Sequence, residues 1–184
     1  MTKSGRIEAV GRTRPPHARP MVTRMGDQPQ PEPGPSAAQL RRWLEDRSRA
    51  FDAWARETGM RGPWDFTPES LDALEELVRS RYGTEPELLA DRAGDFLQGA
   101  IWYVGETACR RDGMVWHYWP FDPDGSTPAL FGMDEPGIID TPSVGRPGAR
   151  EGQGTDPWGL LRTLYWEVDD IDRPVETHLR DIVR

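Results

Sequence analysis

Glu106 is the residue in this chain with the clearest chemical potential. It follows Tyr103-Val104-Gly105 near the end of an apolar helical run, and a Trp-rich segment from Met114 to Trp119 begins directly after Gly113. A carboxylate beside Tyr103, Trp116 and Tyr118 could act as a general base or as a polar contact in an aromatic pocket, with His117 as a second proton-transfer group. The same carboxylate can equally accept hydrogen bonds from the Tyr103 hydroxyl or the Trp116 indole, which is a structural use. Side chains alternate along a strand, so Trp116 and Tyr118 face one way and His117 and Trp119 the other. A lone His among aromatics is more often a half-exposed sheet residue than a base.

Other reactive groups lack the company that chemistry requires. His17, His117 and His178 are far apart, so no His pair is available for a metal. Asp122-Pro123-Asp124-Gly125 opens like a calcium loop, but counting from Asp122 puts Met133 where an EF-hand needs its bidentate acid; it reads as a turn. With Cys109 as the single Cys there is no internal disulfide and no thiolate pair for structural zinc. Arg110 and Arg111 would lower the Cys109 pKa, yet no His and Asn follow in the order a catalytic Cys uses. Ser126, Thr141 and Ser143 have no nucleophile-elbow context, and no Gly-rich phosphate loop or dinucleotide fingerprint occurs. The expectation is no catalytic residue, no metal and no cofactor, with enzymatic activity the lesser alternative.

The elements that must position these groups are read from periodicity and punctuation. Residues 1–36 are rich in Pro, Gly and Gln and are expected to be a disordered arm, because they cannot bury enough apolar surface to offset the entropy of ordering. From Ser36 as N-cap, Leu40, Trp43, Leu44, Arg47, Phe51 and Trp54 follow helical spacing, with Arg41, Arg42, Glu45, Arg49 and Arg56 opposite. Gly59, Gly62 and Pro63 end that helix. Thr67-Pro68-Glu69 supplies a cap, a first-turn Pro and a first-turn acid for a second helix ending before Gly83. Thr84, Pro86 and Glu87 repeat those signals for a third helical segment that bends near Gly94 and runs to about Arg111. In this third segment Phe96, Leu97, Ala100, Tyr103 and Val104 share one face, while Asp91, Asp95, Gln98 and Glu106 share the other. Trp102 falls in the polar group, where a Trp is either covered by another element or exposed as an anchor for a partner.

Met114 to Trp119 has strand composition, and short apolar runs recur at Ala129 to Met133 and Gly137 to Asp140. Ser143 to Thr155 reads as a mobile loop. Asp156-Pro157 starts a last helix through Trp158, Leu161, Leu164, Tyr165 and Val168, and residues 171–184 read as a solvated tail. The expected fold is α+β, one domain over residues 37–170, with N-terminal helices and a C-terminal helix on a small antiparallel sheet of about three strands.

Composition bounds the functional classes. The chain has 184 residues, 36% of them hydrophobic, and eight Trp carry much of the burial that 18 Pro and 19 Gly cannot. No run of about 18 apolar residues and no signal-peptide core is present, so the cytoplasm is the expected compartment and no membrane partner is expected. Twenty-two Arg against one Lys reflects the codon bias of a GC-rich genome more than a need for guanidinium. Residues 1–24 carry six Lys/Arg and one Glu, and are read as an extension upstream of a start at Met21 or Met25. The remaining body, with 17 basic and 30 acidic residues, repels nucleic acid, and none is expected as a partner.

The segment Phe96 to Tyr165, with Tyr103-Val-Gly105-Glu106 near a helix end, Trp116 shortly after a Gly and a helix at Trp158, resembles small uncharacterised bacterial domains with a helix, a Y-x-G-E motif and a following Trp strand. Their layout is similar to that of some immunity proteins of bacterial toxin systems. The resemblance implies action by binding and blocking rather than catalysis, and assigns no chemistry to Glu106. The functional expectation is therefore a non-catalytic protein-binding, immunity-like module. Its partner would be a basic toxin or the product of a neighbouring gene, and its site residues Trp102, Tyr103, Glu106, Asp91, Asp95, Trp116 and His117. Trp102 with Asp91, Asp95 and Glu106 forms the expected contact patch. The alternative is a small-molecule-binding or hydrolytic domain using Glu106 and His117 in an aromatic pocket.

Overall fold

The computed structural model describes residues 35–58, 63–119, 142–166 and 178–183. Nearly all of the N-terminal arm, the apolar runs at 129–133 and 137–140, the turn at Asp122 and the acidic residues 167–172 lie outside these. Among the described residues five helices, two short strands and one 3-10 turn follow in chain order: α1 Pro35–Glu57, α2 Pro68–Arg81, α3 Glu85–Ala90, α4 Asp95–Asp112, β1 Val115–His117, β2 Ser143–Gly145, α5 Pro157–Thr163 and the turn Leu179–Ile182.

Helix starts follow the local capping chemistry. Thr67 accepts the Ser70 amide at 3.2 Å and Ser70 Oγ accepts the Thr67 amide at 3.1 Å, so two orphan donors of α2 are satisfied reciprocally, with Pro68 in the first turn. Thr84 caps α3, and Asp156 Oδ1 accepts the Trp158 amide at 2.9 Å to start α5. Burial pushes the Asp156 carboxyl above the usual carboxylate range, against the opposing pull of the Gly159 and Trp158 amides. The bend expected near Gly94 is a full break: α3 stops at Ala90, and α4 starts again after Gly94 as its N-cap.

α4 is the centre of the fold. It touches α1, α2, α5, both strands and the 3-10 turn. Every residue from Phe96 to Gly105 is buried, and so are Thr107 and Ala108. Of the polar face expected on this helix, Gln98 and Trp102 are covered, Glu106 is half-buried and Asp95 stays exposed. Gln98 tolerates burial because its amide is used at both ends: Oε1 accepts Trp43 Nε1 at 2.8 Å and Nε2 donates to the Arg92 carbonyl at 3.0 Å. α1 lays the expected aromatic stripe on α4, with Trp43 and Trp54 buried and the Trp54 indole donating to the Phe96 carbonyl at 3.0 Å. α2 and α5 are joined by Arg79, which donates to the Leu164 carbonyl at 2.6 Å, and by the Tyr165 hydroxyl, 3.0 Å from the carbonyls of Val78 and Tyr82.

The α+β class holds, with a sheet of two antiparallel strands among the described residues rather than about three. Trp116 faces Val144 across the ladder, flanked by Val115 opposite Gly145 and His117 opposite Ser143. β2 lies within the segment expected to be a mobile loop. A three-residue strand has no period to detect, and its conformation comes from pairing on both edges, since Val144 also exchanges backbone hydrogen bonds of 2.9 and 2.8 Å with Thr155. The intervening loop holds two consecutive β-turns closed by Ala149 N to Arg146 O and Gln153 N to Arg150 O, each 3.0 Å. Gly148 at φ 80 and Gly152 at φ 76 occupy the third turn positions, where a type II turn needs a positive φ.

The expected solvated tail is also corrected at residues 178–183. Leu179 and Ile182 are buried against α2, α4 and α5. Arg180 pairs with Asp72, and the Leu179 amide donates to Glu75 at 3.1 Å. Three apolar residues in a six-residue segment are too few to give an amphipathic signal, so only the groove that receives Leu179 and Ile182 reveals their role.

Candidate functional site

The end of α4 and the start of the sheet bring Glu106 and Trp116 together. Trp116 crosses α4 at Gly105, where a Cβ would lie 2.2 Å from the nearest indole atom. Its Nε1 donates to Glu106 Oε2 at 3.4 Å, while Glu106 Oε1 accepts Arg110 Nε at 2.9 Å. The Trp116 ring also meets Trp43 edge-on, with centroids 5.4 Å apart and an interplanar angle of 75°. Glu106 therefore has both carboxylate oxygens engaged, one by Trp116 of the strand and one by Arg110 of its own helix.

Tyr103 is not part of this arrangement. Its fully buried hydroxyl accepts the Phe66 amide at 2.8 Å and lies 2.6 Å from Ser70 Oγ, so it secures the loop before α2. Its ring stacks on Phe66 at 4.7 Å and on Trp54 at 5.7 Å. His117 is directed away from Glu106 by strand alternation. Its Nε2 is 3.1 Å from the Arg146 carbonyl, and its ring stacks on Trp119 at 5.1 Å and 13°. Glu106 and His117 consequently do not converge on one pocket.

The expected contact patch is dispersed as well. Trp102 is only 4% exposed, covered by Phe51 at 5.4 Å and Phe66 at 6.1 Å, and does not serve as a surface anchor. On the face that looked polar in sequence, Gln98 and Trp102 are met by Trp43 and Phe51 of α1, contacts between residues some fifty positions apart that helical periodicity does not contain. Asp91 is half-buried and accepts the Tyr82 hydroxyl in a short hydrogen bond. Asp95 is exposed at the start of α4, eleven residues from Glu106, or about 16 Å along the axis.

Three features escaped the sequence reading. Trp166, just after α5, is 58% exposed. The signal was its place before Glu167, Asp169, Asp170 and Asp172, masked by the expectation that the helix continued to Val168. Arg47 projects into a cleft between α1 and α4. Glu75 is a buried carboxylate that receives Arg79 Nε at 3.2 Å and the Leu179 amide, with His178 Nδ1 at 3.3 Å.

Cys109 is half-buried, and burial first, then the Glu106 charge, push its thiol up to about 12, outweighing Arg110. At pH 8 the thiolate is scarce, and alkylation of the native thiol by iodoacetamide is expected to be at least about a hundredfold slower than in denaturant. Equal rates would contradict this. Since the folded value is raised, the stability that the neutral thiol contributes is complete below the free-thiol value of 9.0 and is lost as pH rises towards 12.

Among the described residues no group of three or more His, Cys, Asp or Glu is placed to hold a metal ion, and no helix is long and apolar enough to cross a membrane. No protein-family model, curated protein or solved structure matches the chain.

Proposed function

We propose that this chain is a non-catalytic protein-binding module that acts in the bacterial cytoplasm by covering a basic partner, as the immunity proteins it resembles cover toxins. The observation that carries this reading is Trp166: a 58% exposed indole placed directly before four acids in six residues. Trp is among the residues most often found as energetic anchors of interfaces, and exposure of so large an apolar side chain is unfavourable unless something covers it. The body beyond residue 24 holds 30 acidic against 17 basic residues, which steers a basic protein towards it and disfavours nucleic acid. A toxin that acts on nucleic acid presents such a basic surface, because it must meet phosphates. The anchor is thus Trp166 in place of Trp102, and the acids that follow it in sequence, Glu167, Asp169, Asp170 and Asp172, supply the negative charge.

The test is affinity capture from native lysate on the tagged full chain, followed by titration of the captured protein. A basic partner is expected, with salt-dependent association, and Trp166→Ala should weaken it about thirtyfold, the roughly 2 kcal/mol of an interface hot spot. Reversal of Asp169 and Asp170 to Lys should slow association. Retention of full affinity by both variants, or a partner that is acidic, would overturn the reading.

A further inference from the structure

The cleft between α1 and α4 is lined by Arg47, Phe51, Trp54 and Trp102, with Ala50, Ala53 and Gly99 supplying its small-residue surface. We propose that it is a binding site for a small monocarboxylate bearing a single planar ring. This goes beyond the protein-binding reading and uses a different part of the molecule.

Arg47 supplies the first argument. Its side chain is only 17% exposed, and its Nε is buried without a hydrogen-bond partner among the described residues. A guanidinium stays charged at any relevant pH, so burying one of its donors unpaired is unfavourable, and an anion that reaches it recovers that loss. Among the described residues the carboxylate paired with it is Asp95, at 3.5 Å and with 93% of its side chain exposed. An ion pair that long and that wet contributes little, so Asp95 can turn to water when a better-placed carboxylate arrives. A planar carboxylate can meet the guanidinium with two parallel hydrogen bonds.

The walls and dimensions select the rest of the ligand. Phe51 and Trp54 stack at 6.1 Å and 24°, Phe51 and Trp102 meet at 5.4 Å, and the Trp54 indole is fixed by its bond to the Phe96 carbonyl. These rings offer a firm apolar surface for one more ring. The cleft volume is about 140 Å³. A dry protein cavity of about 150 Å³ admits benzene, so one six-membered ring fits the cleft. Glu57 lines the end of the cleft away from Arg47, ten residues or about 15 Å along α1, and repels a second acid group.

The test is titration of the ¹⁵N-labelled full chain with four probes: benzoate, benzyl alcohol, acetate and terephthalate. Benzoate is expected to give saturable shifts centred on the amides of Ala50, Ala53 and Gly99. It should bind at least tenfold more tightly than each of the other three, the lower end of the gain from a charge-assisted hydrogen bond. Arg47→Met keeps the apolar stem and should reduce benzoate to the level of benzyl alcohol. Ala53→Leu changes an exposed helix position, so the fold is retained while the cleft is filled, and benzoate binding should be lost. The proposal is overturned if benzoate gives no saturable shift, if it binds no better than benzyl alcohol, or if either variant leaves its affinity unchanged.

Discussion

Gly105→Ala should destabilise the protein by about 2 kcal/mol, although alanine gains roughly 1 kcal/mol over glycine in a helix interior. The added methyl would lie 2.2, 2.5 and 3.0 Å from three atoms of the Trp116 ring. An indole is rigid, and this one is hemmed in by Trp43 and tied through Nε1 to Glu106, so it cannot move aside without giving up both contacts. Overpacking of this kind costs about 1–3 kcal/mol, and rigid ring atoms on one side put the site at the upper end. A double-mutant cycle followed by urea unfolding isolates the cause. On a Trp116→Ala background the same Gly105→Ala change should become neutral or stabilising, because only the helix-propensity gain remains. A penalty that persists without the indole would refute the steric account.

Loss of the Tyr103 hydroxyl is the second change with a large expected effect. Phe66 has φ 61, a left-handed backbone conformation that a bulky residue adopts only when its surroundings impose it. The constraint is visible: its amide donates to Tyr103, its ring stacks on the Tyr103 ring, and the Arg110 guanidinium lies 3.6 Å from the ring centroid. In Tyr103→Phe the Phe66 amide is left buried without that acceptor, at a cost of about 1–3 kcal/mol. Ser70 still donates to the Thr67 carbonyl and accepts the Thr67 amide, so the α2 cap survives. Tyr103→Ala removes the ring as well and should cost about 3–5 kcal/mol. The unfolding midpoints should fall in that order. A Tyr103→Phe loss below about 0.5 kcal/mol, the scale of ordinary surface changes, would show that the hydroxyl does not hold the loop.

What could be read from the sequence follows the range of the interactions involved. Thr67, Thr84 and Asp156 mark helix starts through contacts two or three residues away, and each is a cap in the structure. The α1 stripe of Trp43, Phe51 and Trp54 was visible because helical periodicity reports which face is buried. The surroundings of α4 were not, since they depend on what arrives from elsewhere. Gln98 looked like a solvent residue until Trp43 and the Arg92 carbonyl satisfied it, and Trp102 looked exposable until Phe51 and Phe66 covered it. β2 and the turn at 179–182 are too short for any period, and their apolar residues gain meaning only from Trp116 and α2.

For the candidate site the division is the same. The contact between Glu106 and Trp116 was within reach because ten residues and one glycine turn connect them. The separation of His117 from Glu106 followed from strand alternation, and the alternative pocket required it not to matter. The Arg47 cleft depends on Gly99 and on two helices some fifty residues apart in sequence, and nothing local in either segment points to it.

The central position of α4 has a consequence for how this chain can be divided. α1 precedes it in sequence and packs on it, while the sheet, α5 and the 3-10 turn follow it and pack on it too. A fragment lacking either side would leave α4 with a broad apolar surface open to water and with Gln98 or the Trp116 contact unmet. The described residues accordingly fall in one compact unit. Such an arrangement is expected to unfold in a single transition, so that the piece that carries Arg47 and the piece that carries Trp166 stand or fall together.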